Sequence, residues 1–230
     1  MLISSLEQWA ASNLATIIFN SDDYWVYERL KQLATRMVVI PVPDLPRDKA
    51  MMALSNYRAR YHSDKPLDSE ILEKVYQKVG GRLAFLNRVA KSPDMLQTCE
   101  DICRAEKTWL LSQTWILGEE MDDDVMDQQK YAVSSFLLDL KALLTTCQSA
   151  ALVLAKALVD KEKEDNLEYD QNKGHMLPQI PLHKARQIMT RADFIQSYDA
   201  INIFTIDSKA MVRADSVPMM NAMREICSEE

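Results

Sequence analysis

The chain has 230 residues, of which 47% are apolar and 27% are charged; this composition is typical of a globular protein and excludes an intrinsically disordered one. Its four glycines are few for this length, which favours a mainly helical chain. The N-terminal apolar residues are too few for a signal peptide or a membrane span. The four cysteines lack the spacing of metal ligands, so we predict reduced thiols, no metal site and an intracellular, cytoplasmic protein.

The formal net charge of −7 is distributed unevenly along the chain. Counting Lys and Arg against Asp and Glu gives about −2 for residues 1–45, about +3 for residues 46–117 and about −8 for residues 118–230. We therefore predict three domains with these boundaries.

Residues 1–45 have the pattern of a small α/β unit. Short apolar runs at 15–19 and 37–42 are typical of strands buried on both faces, and the segment from Tyr24 to Leu33 between them is helical in character. Strand, helix and strand imply a parallel pair with a right-handed crossover. Asn20 follows the first strand at its carboxyl end, where ligands bind in open α/β sheets. In the alternative interpretation, Asn20 only turns the chain.

Residues 46–117 have the pattern of a helical unit. After a proline-rich linker we expect a helix from Arg47 to Tyr61, a pair of short amphipathic helices between 67 and 92, and a long helix from 94 to 117. Gly80 can adopt the positive φ that ends the first helix of the pair, and Arg82 opens the second. Because the apolar residues of these two helices face each other, we expect packing to hold Arg82 at a fixed corner.

Residues 118–230 have the pattern of a winged helix. Helices are expected at 149–163, 181–189 and 192–199, a hairpin at 201–214 with its turn at 207–209, and a closing helix at 218–227. An acidic cluster at 119–124 either begins a solvated helix or binds a hard cation. Residues 133–148 are compatible with a genuine helix or with a retained intron.

The order of these elements resembles the C-terminal part of AAA+ and related STAND-type P-loop ATPases. The helix, Gly-Gly-Arg-Leu and second helix are similar to their lid subdomain, and the text Asn-Ile-Phe-Thr-Ile-Asp-Ser resembles the C-terminal winged-helix domain of fungal AAA proteins. The resemblance implies that Asn20 is a sensor 1 residue and that Arg36 is an arginine finger reaching a neighbouring subunit. It also implies that Arg82 is the sensor 2 arginine, which faces the nucleotide.

Two motifs that such ATPases use for hydrolysis are missing from this sequence. It contains neither the phosphate-binding pattern G-x-x-x-x-G-K-[ST] nor an apolar strand that ends in paired acids. We therefore expect no catalytic residues, no cofactor and no ATP hydrolysis for this chain, whereas the resemblance implies ATP and Mg²⁺ in a full-length relative. A truncated product or a degenerate paralogue would fit this pattern. Either would need a missing N-terminal core or another protein partner, and either could form oligomers.

The fold class predicted is therefore mainly α with a small α/β part: a parallel strand remnant of a P-loop core, a helical AAA+ lid and a C-terminal winged helix. The predicted function is that of an AAA+ ATPase fragment with nucleotide-sensing, lid and regulatory or interaction roles. The alternative is a non-enzymatic winged-helix module that binds protein or DNA. The negative charge of residues 118–230 argues against nucleic acid, because duplex readers neutralise several phosphates. An independent hydrolase is not supported, since no nucleophile and base are paired.

Overall fold

The computed structural model describes residues 9–12, 14–21, 23–33, 38–62, 68–113, 150–165, 167, 174–189 and 192–229. This part of the chain is mainly helical with one small antiparallel sheet, which confirms a mainly α fold with a small α/β part. Within these ranges no helix combines the length and the apolar character needed to cross a membrane. The acidic cluster at 119–124 and the stretch at 133–148 lie outside the described residues.

Four helices form the helical unit that the sequence predicts for residues 46–117. They are α2 (Arg47–Tyr61), α3 (Ser69–Val79), α4 (Leu83–Lys91) and α5 (Met95–Gln113), and they follow α1 (Tyr24–Leu33). Asp68 caps α3, because its carboxylate accepts a hydrogen bond of 3.0 Å from the amide of Glu70. Arg58 is buried in α2 and donates to the carbonyl oxygen of Ala90 at 3.1 Å, so it joins the end of α2 to the end of α4. We use the word lid as a label for these four helices; it describes their arrangement and assigns them no function.

The winged helix is confirmed by the elements from residue 150 onward. They are α6 (Ala150–Glu164), β1 (Ile180–Pro181), α7 (Leu182–Ile188), a 3₁₀ turn (Ala192–Phe194), α8 (Ile195–Ala200), β2 (Phe204–Ile206), β3 (Met211–Ala214) and α9 (Val217–Glu229). The sheet order is β1-β3-β2, and both pairings are antiparallel. Asp207 shapes the predicted turn, since its carboxylate accepts from the amides of Lys209 and Met211 at 2.8 and 2.9 Å.

The lid and the winged helix have separate cores that meet along α5 and α9. Leu54, Val75 and Leu86 are among the fully buried residues of the lid core. Polar contacts join the two cores: the side-chain amide of Asn221 donates to the carbonyl oxygen of Lys78 at 3.1 Å, and Lys107 pairs with a carboxylate on α9 at 2.8 Å. The lid therefore presents the end of α3 to the winged helix.

The structure corrects one detail of the predicted fold, the parallel strand pair near the N-terminus. Residues 14–21 and 38–46 form no strand in the described ranges, and most of their apolar side chains are exposed, Ile18 by 86% and Val42 by 93%. Two strands alone bury too little apolar surface to be stable. Pro41 and Pro43 also remove backbone donors that a ladder would need. Helix α1 between them forms as predicted.

Candidate functional site

The candidate site lies at the turn that joins α3 to α4. Gly80 ends α3 with a φ of +70°, a conformation that favours glycine, and its amide donates to the carbonyl oxygen of Tyr76 at 2.8 Å. The carbonyl oxygen of Gly81 accepts from the amide of Leu45 at 3.0 Å, so the linker before α2 passes directly beside the turn. Arg82 occupies the N-cap position of α4. Its side chain is therefore held where linker, lid and winged helix meet.

Arg82 binds the winged helix through both terminal nitrogens of its guanidinium group. Nη1 lies 2.5 Å from the Oδ2 atom of Asp215, and Nη2 donates to the main-chain carbonyl oxygen of the same residue at 2.5 Å. Nε lies 3.5 Å from a carboxylate oxygen of Asp44 in the linker. The guanidinium carbon also lies 5.6 Å from the ring centre of Phe85, within the range of a cation–π contact. One arginine thus connects three segments of the chain.

Asp215 is positioned by the wing as well as by Arg82. It follows β3, and its Oδ1 atom accepts a hydrogen bond of 2.7 Å from the hydroxyl of Thr205 on β2. Its amide donates to the carbonyl oxygen of Ile203 at 3.2 Å. The Asp215 side chain is only 12% exposed, compared with 29% for Arg82. Because both carboxylate oxygens have partners, the pair is a fixed contact rather than a mobile surface ion pair.

The corner around Arg82 has more negative than positive charge. Burial alone would lower the pKa of Arg82, but the hydrogen bond and charge of Asp215, together with the charge of Asp44, outweigh it and raise the pKa above its ordinary value. On α5, burial raises the pKa of Glu106; the charge of Asp215 adds to this effect and Arg82 opposes it. The site therefore keeps the guanidinium of Arg82 positively charged and in place. Its carboxylates would compete with any anionic ligand for that guanidinium.

The structure describes two of the three predicted sensing residues, Asn20 and Arg82. Asn20 lies in the exposed, extended segment before α1, and it has no described contact with Arg82. Arg36 lies outside the described residues. The expectation that packing alone holds Arg82 is corrected, since ion pairs with Asp44 and Asp215 also hold it.

The acidic partners of Arg82 could not be recognised from the sequence. Asp215 and Ser216 directly precede a helix, and this pattern indicates a helix cap. Ser216 does fill that role, because its hydroxyl accepts from the amide of Met219 at 3.2 Å. The helix-cap pattern is therefore enough to explain Asp215 and Ser216, and it does not indicate a distant partner for Asp215. Asp44, next to Pro43, likewise has only the pattern of an ordinary linker residue in the sequence.

The winged helix lacks the charge of a DNA reader on its third helix. In helix-turn-helix proteins this element enters the major groove. Here residues 192–200 include Asp193 and Asp199 but no Lys or Arg. Asp199 is buried and accepts from the amide of Ile206 at 3.2 Å, so it shapes the fold. Within the described ranges, no group of three or more His, Cys, Asp or Glu side chains could hold a metal ion.

Comparison with known proteins identifies the second half of the chain. The family model described as the fungal AAA protein, C-terminal winged helix domain, matches residues 112–230, which is just over half of the chain. Searches of curated proteins and of solved structures gave no match. The matched range contains every winged-helix element from α6 to α9 and the asparagine and aspartate that contact the lid. The chain therefore belongs to the family of fungal AAA proteins that carry this C-terminal winged-helix domain.

Proposed function

We propose that this chain acts as the lid and winged-helix portion of an AAA-type ATPase, sensing nucleotide and transmitting its state to a partner without hydrolysing ATP itself. The observation that supports this proposal most strongly is the position of Arg82. The arginine that the family resemblance assigns to nucleotide sensing lies in the joint between linker, lid and winged helix. A ligand that binds it would act on all three segments at once.

The chemistry of Arg82 suits a phosphate group. A guanidinium presents planar donors that match phosphate oxygens in a bidentate arrangement. Its side chain is 29% exposed, so a ligand can reach part of it from solvent. In this proposal Asn20 and Arg36 contribute to the same nucleotide response, Arg36 from one subunit of an oligomer to the next. ATP and Mg²⁺ would be held mainly by a P-loop core that supplies the missing phosphate loop and acids.

The exposed apolar segments of the chain are consistent with such a core. Residues 14–19 and 38–42 are extended, and most of their apolar side chains face solvent. Contiguous exposed apolar surface is typical of an interface. We propose that an α/β core covers these segments and that the lid and winged helix move with it.

Titration of the purified chain with ATP, followed by amide NMR and by a hydrolysis assay, tests the proposal. We expect weak binding, with a Kd of about 1 mM, shifts centred on residues 80–83 and no turnover. The variant Arg82→Ala should lose this binding. Arg82→Lys, which keeps the charge but not the planar donors, should retain only part of it. Turnover that persists through repurification and depends on Arg82, or the absence of any shift near residue 82, would contradict the proposal.

Duplex DNA provides the control for the alternative function. The third helix of the winged helix is acidic, so we expect only weak binding that disappears between 50 and 200 mM salt, roughly the behaviour of a non-specific contact. Fluorescence anisotropy with duplexes of different sequence measures it. Sequence-selective binding near 10⁻⁸ M, roughly the affinity of specific readers, would favour the DNA-binding alternative.

A further inference from the structure

We propose that Asp215 is an internal counter-ion for Arg82: it occupies the guanidinium in the absence of a phosphate ligand, and a phosphate group must displace it. Phosphate binding would then loosen the start of α9 from the lid. This inference rests on the proposed function, because it describes how the same arginine would be regulated.

The contacts of Arg82 leave little room for a second anion. Both of its terminal nitrogens bind Asp215, and Nε faces Asp44. A bidentate phosphate needs two of these donors. These donors are fixed in one plane. A phosphate that binds the two terminal nitrogens in this way must therefore displace Asp215 from them. The two anions are therefore alternative partners of one cation.

The charge of the corner makes simultaneous binding unfavourable. The charges of Asp44 and Asp215 both act on the guanidinium of Arg82. The charges of Asp215 and Arg82 both act on Glu106. Adding a phosphate while these carboxylates stay in place would put like charges together in a partly buried site, where screening by salt is weak. Displacement of Asp215 relieves one of these repulsions. Phosphate affinity is then reduced by the fraction of molecules in which Arg82 is occupied.

Movement of Asp215 would be transmitted to α9 because the connection is short. Ser216, which caps α9, is the next residue, and Val217 lies against the lid: a Cβ atom added to Gly80 would be 2.6 Å from its Cγ2 atom. Farther along α9, the contacts of Asn221 with Lys78 and of Lys107 with Glu225 do not involve Arg82. The expected change is therefore a local release of the first turn of α9, with lid and winged helix still joined.

The test uses tripolyphosphate as the probe and the variant Asp215→Asn, which removes the charge at nearly constant shape. Isothermal titration should show binding about tenfold tighter than in the original chain, within the usual range of coupling between two ligands. Asp44→Asn is the matched control: it removes a neighbouring charge but not the link to the winged helix, so its affinity should change less than about threefold. Asp215→Ser is a second variant in case the first does not fold, and circular dichroism checks both.

Hydrogen exchange gives an independent measurement of the release. In the original chain, saturating tripolyphosphate should accelerate exchange at the amides of Met219 and Met220, which bond to Ser216. In Asp215→Asn the ligand should add no further acceleration. If the original chain binds the probe through Arg82 and Asp215→Asn binds it equally, the counter-ion inference is wrong and the proposed function stands. If no folded variant binds the probe, both are wrong. Equal tightening in Asp44→Asn would show general charge relief and would also overturn the inference.

Discussion

Two apolar stretches of this chain have similar composition and opposite environments. In the winged helix, Phe204, Ile206 and Val212 form a paired hairpin and are almost completely buried. In the N-terminal region, residues 38–42 are Val-Val-Ile-Pro-Val, which is at least as apolar, yet they are exposed and unpaired in the described structure. The hairpin packs against α6, α7, α8 and α9, whereas Val38, Ile40 and Val42 of the N-terminal stretch are largely exposed.

The difference shows what a strand requires beyond an apolar sequence. A hairpin supplies its own neighbouring strand through a short turn, and here four helices also pack against it. A strand of a parallel sheet depends on neighbours that are distant in the chain or in another molecule. The apolar residues at 38–42 carry the same signal, but within the described residues the chain provides no neighbours for them. A set of substitutions can test this contrast.

The largest effect is expected from replacing an isoleucine of the buried hairpin, with an isoleucine of the exposed N-terminal stretch as its counterpart. Ile206 is 4% exposed and Ile40 is 79% exposed. Ile206→Ala should lower the free energy of unfolding by about 2–5 kcal/mol, because it leaves a cavity between sheet and helices. Ile40→Ala should change it by less than about 0.5 kcal/mol, as exposed substitutions usually do. Urea unfolding followed by circular dichroism measures both, and a loss above about 2 kcal/mol for Ile40→Ala would show that the N-terminal stretch is buried in solution.

The elements that the sequence predicts correctly are those specified by neighbouring residues. The capped helix α3, the glycine that ends it and the hairpin turn at Asp207 all depend on contacts within a few positions. The two-residue strand β1 gives no such signal, since it is defined only by pairing with Met211 and Val212. The same holds for the candidate site: Arg82 and Asp215 are 133 positions apart, and no local pattern connects them.

A second prediction concerns the joint between the lid and the winged helix, which belongs to the buried side of the comparison. Gly80→Ala should lower stability by about 1–3 kcal/mol, because alanine is strained at a φ of +70° and its Cβ atom would lie 2.6 Å from the side chain of Val217. Thermal unfolding measures the loss. The double variant with Val217→Ala should recover only the part due to the clash. Full recovery of the lost stability would mean that the backbone conformation at residue 80 contributes nothing to the loss.

A third prediction uses pH to examine the same joint. His175 lies beside the lid, with its Nε2 atom 3.0 Å from the carbonyl oxygen of Tyr76 and its ring 5.3 Å from the ring centre of that residue. Burial lowers the pKa of His175 below its ordinary value of 6.5, although hydrogen bonds to backbone oppose the shift. The unfolded chain therefore takes up a proton first as the pH falls, and stability should decrease below about pH 6.5.

The variant His175→Gln should reduce this pH dependence. Its unfolding free energy should fall less steeply than that of the original chain between pH 7.5 and 5.5, roughly the interval around an ordinary histidine, and the slope should differ by at most about 1.4 kcal/mol per pH unit. His62→Gln is the control, because that ring contacts Lys91 at the lid surface rather than the winged helix. Identical slopes for the original chain and His175→Gln would show that the imidazole is solvated, and that this joint is open like the N-terminal stretch.

The smallest effect is expected at Glu106, where the buried side of the comparison contains an unfavourable charge. Burial raises the pKa of Glu106 above its ordinary value of 4.5, with the charge of Asp215 adding to the shift. The folded chain therefore binds this proton more strongly than the unfolded chain, and the associated stability is present at low pH and lost as the pH rises through the raised pKa. Glu106→Gln removes the charge and should stabilise the chain at pH 7 by less than about 1 kcal/mol, with no gain below about pH 4.5.

Glu100→Gln on the same helix is the control, since that side chain is 51% exposed and pairs with Lys78 at the surface. Unfolding measured at both pH values distinguishes two roles for the carboxylate. If Glu106→Gln destabilises the chain at pH 7, attraction to Arg82 exceeds repulsion by Asp215, and the corner around the arginine would be held by three carboxylates instead of two.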